Sequence, residues 1–220
     1  GLFSALCFAG VYTVEDAFQL VLLTGDLLEE ASRNTQVASL IFQGRWLPEV
    51  NKFCRQARLD TGGECYIGER HSPFSYWCCG TPAAILALKE IGAASGALIW
   101  GLYSGVGGLH TPMNTCMRNR FDELLWSFAS KMRPPRCSVH VGLEQFGTIK
   151  AGASPEVIMN CVSAWFTEHI DWDSSLTALV SSGVTHLIFM SESKQRLERN
   201  SVVRTKLKKG EIKLYDAVNG

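Results

Sequence analysis

The chain has 220 residues, of which 46% are hydrophobic and 19% charged, and its formal net charge at pH 7 is zero. This length allows one large domain or two small ones with a sizeable core, and the composition excludes a disordered chain. Zero net charge argues against a protein whose overall field holds nucleic acid or an anionic membrane. The longest apolar runs are too short to span a bilayer.

The first 31 residues predict two helices. Apolar positions from Leu2 to Ala9 fit a short buried helix, and Gly10 is suited to end it. The sequence TVED then resembles a capping box, and apolar residues at helical spacing predict one amphipathic helix over residues 14–31. Gly25 interrupts that helix.

Residues 37–104 give the clearest topological signal. Strand and helix patterns alternate there in the order β-α-β-β-α-β, with the second and third strands flanking a turn at RHSP, Arg70 to Pro73. This order is typical of the split βαβ, ferredoxin-like unit. The turn signal at RHSP outweighs a role in ligand binding.

The remainder of the chain alternates again between helices and strands. We predict helices over residues 120–132, 154–166 and 176–184, and strands over 134–143 and 185–190. Such alternation favours a parallel α/β layer. We therefore expect a fold of the α/β class in which the small unit is inserted into a larger α/β domain. The predicted division is 1–34 and 105–200 for the large subdomain, 35–104 for the small subdomain, and 201–220 for a basic tail.

Candidate chemical groups are few. The eight cysteines are scattered without a C-x-x-C pair, which predicts buried free thiols in a reducing compartment. No metal-ligand or paired-carboxylate cluster stands out, so we expect no metal and no bound cofactor. GVGG lacks the following Lys-Ser/Thr of a phosphate loop. His110 lies in a glycine-rich loop that runs into a helix, where a general base is often found; a surface or capping histidine is the alternative.

Four segments of the chain resemble one enzyme family in the same order. They are GLFSALCFAGVYTVEDAFQLVLLTGDLLEEA, ERHSPFSYWCCG, GGLHTPMNT and HIDWDSSLTALVSSGVTHLIFM. The first is similar to G-E-Y-S-A-L-x-x-A-G, the second to N-x-N-S-P-x-Q, and the third to F-H-[ST]-P-x-M. Together they resemble the malonyl-CoA:acyl-carrier-protein transacylases and the related acyltransferase domains of fatty-acid and polyketide synthases. The resemblance implies an α/β-hydrolase-like parallel-sheet core with a ferredoxin-like subdomain.

The resemblance also implies a mechanism. Gly1 matches the last glycine of a G-x-S-x-G nucleophile elbow, so the nucleophilic serine is expected two residues before it. His110 would be the general base, held by a main-chain carbonyl near Trp165. The family transfers an acyl group from acyl-CoA to serine, and then to the phosphopantetheine thiol of acyl carrier protein. We expect an intracellular location, either the cytoplasm or a fatty-acid-synthesising organelle such as a mitochondrion or plastid.

Several positions that the resemblance assigns to the substrate site have residues that differ from those of the family. Thr24 stands where the family has the arginine that grips malonate, so a neutral acyl group such as acetyl is easier to accept. His71 replaces an asparagine, as Glu69 does, and Ser75 replaces a glutamine. MSES, residues 190–193, replaces a glycine-rich turn. The expected substrate-binding set is Thr24, His71, Ser72, Leu109 and Trp165.

Two alternatives remain at this point. One is a non-catalytic homologue that retains the fold and binds an acidic carrier protein through Lys206, Lys208 and Lys209, although a solvated tail is the simpler reading of these lysines. The other is a serine esterase, which shares the nucleophile elbow but not the inserted unit. Without the serine, we expect the chain alone to be inactive.

Overall fold

The computed structural model describes residues 1–34, 36–104, 108–143, 147–189 and 199–216. The MSES segment singled out above, most of GVGG and the last four residues of the basic tail lie outside these ranges.

The first half of the chain forms the predicted elements in the predicted order. The elements are α1 (Leu2–Phe8), α2 (Val14–Asn34), β1 (Ala38–Gln43), α3 (Leu47–Thr61), β2 (Cys65–Ser72), β3 (Ser75–Gly80), α4 (Pro82–Ala94) and β4 (Leu98–Ser104). Strand alternation explains their packing: the side chains of Leu40, Phe42, Tyr76 and Cys78 all lie on one face of the sheet and are buried against α3 and α4.

The second half begins with a 3₁₀ turn at Pro112–Asn114 and consists of shorter elements. They are α5 (Thr115–Ser127), β5 (Val139–His140), β6 (Thr148–Ile149), α6 (Pro155–Thr167), β7 (Ile170–Asp171), α7 (Trp172–Ser181), β8 (His186–Phe189), α8 (Ser201–Lys208) and β9 (Lys213–Asp216).

The largest sheet has the strand order β4-β1-β3-β2-β7. Its first four strands are antiparallel to their neighbours, and only β7 joins in parallel, where Glu69 and Arg70 pair with Ile170 and Asp171. The structure is therefore a mixed α/β fold with a mostly antiparallel central sheet. β7 joins the small unit to the second half of the chain.

The expected parallel-sheet core stays a prediction for the second half of the chain. Among the described residues, parallel pairing occurs only between β2 and β7 and between β8 and β9. β5 and β6 have two residues each and pair with each other in an antiparallel ladder. The β8–β9 pair instead packs on a small separate cluster that contains Val180, Val203 and Ile212.

The turn between β2 and β3 lies three residues later than predicted. Arg70, His71 and Ser72 continue strand β2, and the chain reverses at Pro73 and Phe74. The amide of Phe74 donates to the Ser72 hydroxyl at 3.4 Å, which stabilises this tight reversal. His71 is therefore a strand residue rather than a turn residue.

Two helices begin earlier than predicted. Helix α5 starts at Thr115 because the 3₁₀ turn runs directly into it, and α7 starts at Trp172. The Asp171 carboxylate accepts a hydrogen bond from the Ser174 amide at 2.8 Å and caps α7. Asp171 is a recognisable capping residue in the sequence, but it precedes the apolar residues from which the helix over 176–184 was predicted.

The main apolar core lies among α1, α2, α5 and α6. Leu6, Leu20, Phe121 and Phe166 are completely buried in it. The rings of Phe121 and Phe166 stack with centroids 4.2 Å apart and an interplanar angle of 14°. Residues of the small unit form a second core of their own, and the predicted subdomain division stays a prediction.

The cysteines are free thiols, but their predicted burial is only partly correct. Cys116 and Cys137 are exposed and Cys7 is half-buried, whereas the other five are buried. The exposed pair lies at the start of α5 and in the loop before β5. Among the described residues, no helix combines the length and apolarity needed to cross a bilayer.

Candidate active site

His110 occupies a strained loop position before α5. Its backbone φ is 62°, in the left-handed region that non-glycine residues rarely adopt. The amide of His110 donates to the carbonyl of Phe166 at 3.2 Å, and the hydroxyl of Thr111 donates to the Gly108 carbonyl. These bonds offset a backbone strain of about 1–3 kcal/mol, and such strain is concentrated at functional sites.

The tautomer of His110 follows from its main-chain partner. Nδ1 lies 2.7 Å from the carbonyl oxygen of Trp165, the contact that the family resemblance implies. Because a carbonyl oxygen only accepts hydrogen bonds, Nδ1 must donate its proton to it. In the neutral ring Nε2 then carries the lone pair, which is the arrangement a general base requires.

The indole of Trp165 packs against the same imidazole. The two rings meet edge to face, with centroids 4.6 Å apart and an interplanar angle of 72°. Phe3 of α1 contacts the same indole at a centroid distance of 5.8 Å. Trp165 therefore links the beginning of α1 to His110.

A carboxylate from β2 lies between two imidazoles. Glu69 Oε1 is 3.6 Å from Nε2 of His110, and Glu69 Oε2 is 2.8 Å from Nε2 of His71. All three side chains are largely buried. The Glu69 carboxylate thus approaches the nitrogen of His110 that is available for proton transfer.

Gly68 permits the loop of His110 to approach β2 closely. A Cβ atom built on Gly68 would lie 3.1 Å from the Leu109 carbonyl oxygen and 3.4 Å from the Thr111 methyl group. Both contacts are at or below ordinary van der Waals distance. The small residue therefore sets the spacing between Glu69 and the loop.

Burial lowers the pKa of His110 below that of an ordinary histidine. Glu69 and the Trp165 carbonyl act in the opposite direction because they stabilise the imidazolium, whereas His169 lowers the pKa further. The net direction is downward, so His110 is neutral and able to accept a proton at neutral pH.

We predict that Glu69→Gln lowers the pKa of His110 further, because it removes the nearest negative charge from Nε2. The measurement is an NMR titration of the imidazole resonances, in which the midpoint of His110 should move to lower pH. Exposed His140, whose Nδ1 lies 2.9 Å from the Thr148 hydroxyl, is the internal control. A His110 midpoint that stays fixed or rises would contradict the assigned contact.

The structure brings together only part of the expected site. His110, Leu109 and Trp165 lie together, and Glu69 joins His71 to them. Thr24 is buried in α2, where its hydroxyl donates to the Leu20 carbonyl at 2.7 Å; among the described residues, no hydrogen bond joins it to His110.

Ser72 is also buried, and its hydroxyl is engaged in the β2–β3 turn. Glu69 and His169 were missing from the expected substrate-binding set. Glu69 and His71 are two residues apart in one strand, a spacing that would have indicated a shared face had the turn been placed correctly. His169 carried no signal, because its contact with the backbone of Ile67 and Gly68 is a tertiary one.

Arg70 lies between Glu69 and His71, and its side chain connects β2 to β7 and α7. Its guanidinium contacts Asp171 at 2.9 Å and Asp173 at 3.2 Å, with the three side chains 11–20% exposed. Burial acts to raise the pKa of Asp171, but hydrogen bonds from Ser174 and the Arg70 charge outweigh it and lower that pKa. Burial raises the pKa of Asp173 despite the same arginine.

We predict that Arg70→Met lowers the free energy of unfolding by about 1–3 kcal/mol, because two partly buried carboxylates lose their cation. Urea titration at pH 7 measures the change. The control is Arg33→Met, which removes an exposed ion pair with Glu29 on α2 and should cost less than about 0.5 kcal/mol. Equal effects of the two substitutions would show that the β2–β7 anchor adds no stability.

The described residues contain no group of three or more His, Cys, Asp or Glu side chains arranged to hold a metal ion. The site consists of a histidine with a main-chain anchor, one aromatic neighbour and a facing carboxylate. Such a site can accept a proton from a hydroxyl or thiol that reaches Nε2.

No protein-family model matches the chain, and no curated protein matches it. Solved structures do match. A type II polyketide malonyl-transacylase in complex with its acyl-carrier protein superimposes with a TM-score of 0.83 at 20% identity, covering 99% of this chain and 65% of that one.

Two bacterial enzymes give similar values. The malonyl-CoA:acyl carrier protein transacylase of Xanthomonas oryzae has a TM-score of 0.81 at 19% identity, covering 97% of this chain and 64% of that one. The acyl carrier protein S-malonyltransferase of Vibrio cholerae has a TM-score of 0.81 at 19% identity, with 98% and 66% covered. This chain spans about 65% of the length of these structures. It has the fold of the malonyl-CoA:acyl carrier protein transacylases.

Proposed function

We propose that the chain carries the general base of an acyltransferase that moves an acyl group from acyl-CoA to the phosphopantetheine thiol of an acyl carrier protein. The observation that carries this proposal is the anchored tautomer of His110, with Nδ1 on the Trp165 carbonyl and Nε2 available. The fold shared with malonyl-transacylases supports it, as does the carrier protein bound to one of them.

In the proposed mechanism, a serine hydroxyl gives its proton to Nε2 of His110 while its oxygen attacks the thioester carbonyl. Collapse of the tetrahedral intermediate expels the CoA thiolate, which takes the proton from the imidazolium and leaves as the thiol. The carrier-protein thiol then gives its proton to Nε2, attacks the acyl-serine and regenerates the hydroxyl. Phe3 and His110 share the Trp165 indole, which supports a serine located just before α1.

Finer features of the fold belong to the same proposal. The antiparallel order β4-β1-β3-β2 supports a ferredoxin-like subdomain, and the parallel β8–β9 pair supports assignment of the remainder to an α/β-hydrolase-like core. Basic residues on and after α8, Lys206, Lys208 and Lys209, are candidate contacts for an acidic carrier protein. An intracellular location remains an expectation from this function.

A non-catalytic homologue is the second candidate function. The observation that favours it is Glu69 Oε1 at 3.6 Å from Nε2, because a carboxylate there competes with a serine hydroxyl for the base. In this alternative the protein retains the fold and carrier-protein binding but forms no acyl-enzyme.

Covalent labelling distinguishes the two candidates. We expect no label on the 220-residue chain after incubation with radioactive acetyl-CoA. We expect stoichiometric label on the longer protein that includes the residues encoded immediately before Gly1, provided that these supply G-H-S-x. The matched control is the longer protein with that serine changed to alanine. Labelling of the short chain that His110→Ala abolishes would contradict the proposed nucleophile, and an unlabelled longer protein would favour the homologue.

Weak selection of malonyl over acetyl is the expected specificity. Thr24 cannot make the charge-assisted, bidentate contact that arginine makes with a carboxylate, a contact worth roughly 1.5–3 kcal/mol. Competition between malonyl-CoA and acetyl-CoA for the longer protein should therefore give kcat/KM values within about tenfold of each other. Strong malonyl selectivity that survives Thr24→Ala would refute this role for position 24.

A further inference from the structure

One face of the large sheet is partly exposed in the part of the chain that the structure describes. Helices α3 and α4 cover the face that contains Leu40 and Phe42, so the alternate residues of β1 lie on the opposite face. Ile41 is directly paired with Trp77 of β3 on one side and with Trp100 of β4 on the other. These three side chains form a row across the sheet.

The row continues along β4 with further apolar residues. Trp100 is 57% exposed, Leu98 60% and Tyr103 46%. The ring of Tyr103 lies 6.4 Å from that of Trp77, which places it on the same face. We call Ile41, Trp77, Leu98, Trp100 and Tyr103 the apolar shelf. Contiguous exposed apolar residues on a protein surface often mark a binding site.

The shelf is continuous with the candidate active site. Glu69 of β2 is paired with Trp77, so the row runs from the Glu69 carboxylate through Trp77 to Ile41 and Trp100. His110 lies at the Glu69 end of this row, with Nε2 3.6 Å from the carboxylate. A thioester held at His110 would have its acyl chain beside the shelf.

We propose that the apolar shelf binds the uncharged hydrocarbon chain of an acyl thioester whose carbonyl lies at His110. This inference rests on the proposed function and narrows its substrate class to acyl groups of medium length. Continuity with His110 favours a small-molecule chain over a second copy of the protein. The shelf carries no charged side chain to pair with a carboxylate, which favours an uncharged chain over a malonyl group.

Calorimetric titration of the full 220-residue chain with CoA, acetyl-CoA, octanoyl-CoA and free octanoate tests the proposal. A fully buried methylene strengthens binding about fourfold, so six additional ones on a half-open shelf should make octanoyl-CoA at least about tenfold tighter than acetyl-CoA. Trp100→Ser should reduce this ratio to below about threefold. The matched control, Trp126→Ser on α5, alters a tryptophan that is 62% exposed and should leave the ratio unchanged.

The possible failures are distinguishable. Equal affinity for acetyl-CoA and octanoyl-CoA would overturn the shelf and leave the proposed function intact. Octanoate binding that depends on Trp100, without any binding of CoA or its esters, would support the shelf and count against the proposed function. A dimer in sedimentation that Trp100→Ser dissociates, with no dependence on chain length, would assign the face to a second copy and overturn the proposal. Binding of none of the probes would overturn both.

Discussion

Replacing His110 with alanine is expected to lower kcat/KM for acyl transfer by about 10²–10⁴-fold in the protein that carries both this chain and the proposed serine. A positioned general base contributes an effect of this size. The structure gives the reason for a value near the upper limit: the Trp165 carbonyl fixes the tautomer, the indole fixes the ring plane, and burial keeps the ring neutral.

The assay follows transfer of a radioactive acetyl group from acetyl-CoA to holo acyl carrier protein. His140→Ala is the matched control, because it removes an imidazole from an exposed strand outside the site. His110→Gln provides a second test, since it restores a hydrogen-bond donor for the Trp165 carbonyl but cannot accept the proton. A rate within threefold of the parent protein for either His110 variant would refute the role of general base.

Much of the fold could be predicted because local patterns determine it. Helix α2 has its apolar residues at helical spacing, and α6 begins at a serine cap followed by proline; both elements lie where the sequence indicates. The alternation of strand and helix patterns over residues 37–104 likewise predicted the β-α-β-β-α-β order. Within this unit the β2–β3 turn was misplaced, because the Ser-Pro signal competed with a strand that continues to Ser72.

The site was less predictable because its contacts are formed between distant parts of the chain. The loop position of His110 already made it a candidate, and the family resemblance added Trp165. The edge-to-face contact of their rings and the junction with Phe3 were not expected. Glu69 reaches Nε2 of His110 only because Gly68 allows the loop to approach β2. Such spacing depends on tertiary packing, and periodicity carries no information about it.

Phe121→Ala is expected to lower the free energy of unfolding by about 3–5 kcal/mol, the usual cost of removing a buried phenylalanine side chain. Phe121 is completely buried and stacks on Phe166 at 4.2 Å. The Phe166 carbonyl accepts the hydrogen bond from the His110 amide, so the cavity would form against a residue that anchors the loop of His110. The effect should therefore reach the site as well as the core.

Urea unfolding measures the stability change, and Trp126→Ala on the same helix is the control, with an expected cost below about 0.5 kcal/mol because its side chain is 62% exposed. Phe121→Leu, which retains most of the apolar volume, should cost less than half as much as alanine. In the folded Phe121→Ala variant, the imidazole resonances of His110 should broaden or shift while those of His140 do not. A large loss of stability with an unchanged His110 spectrum would show that the core supports the fold without positioning the base.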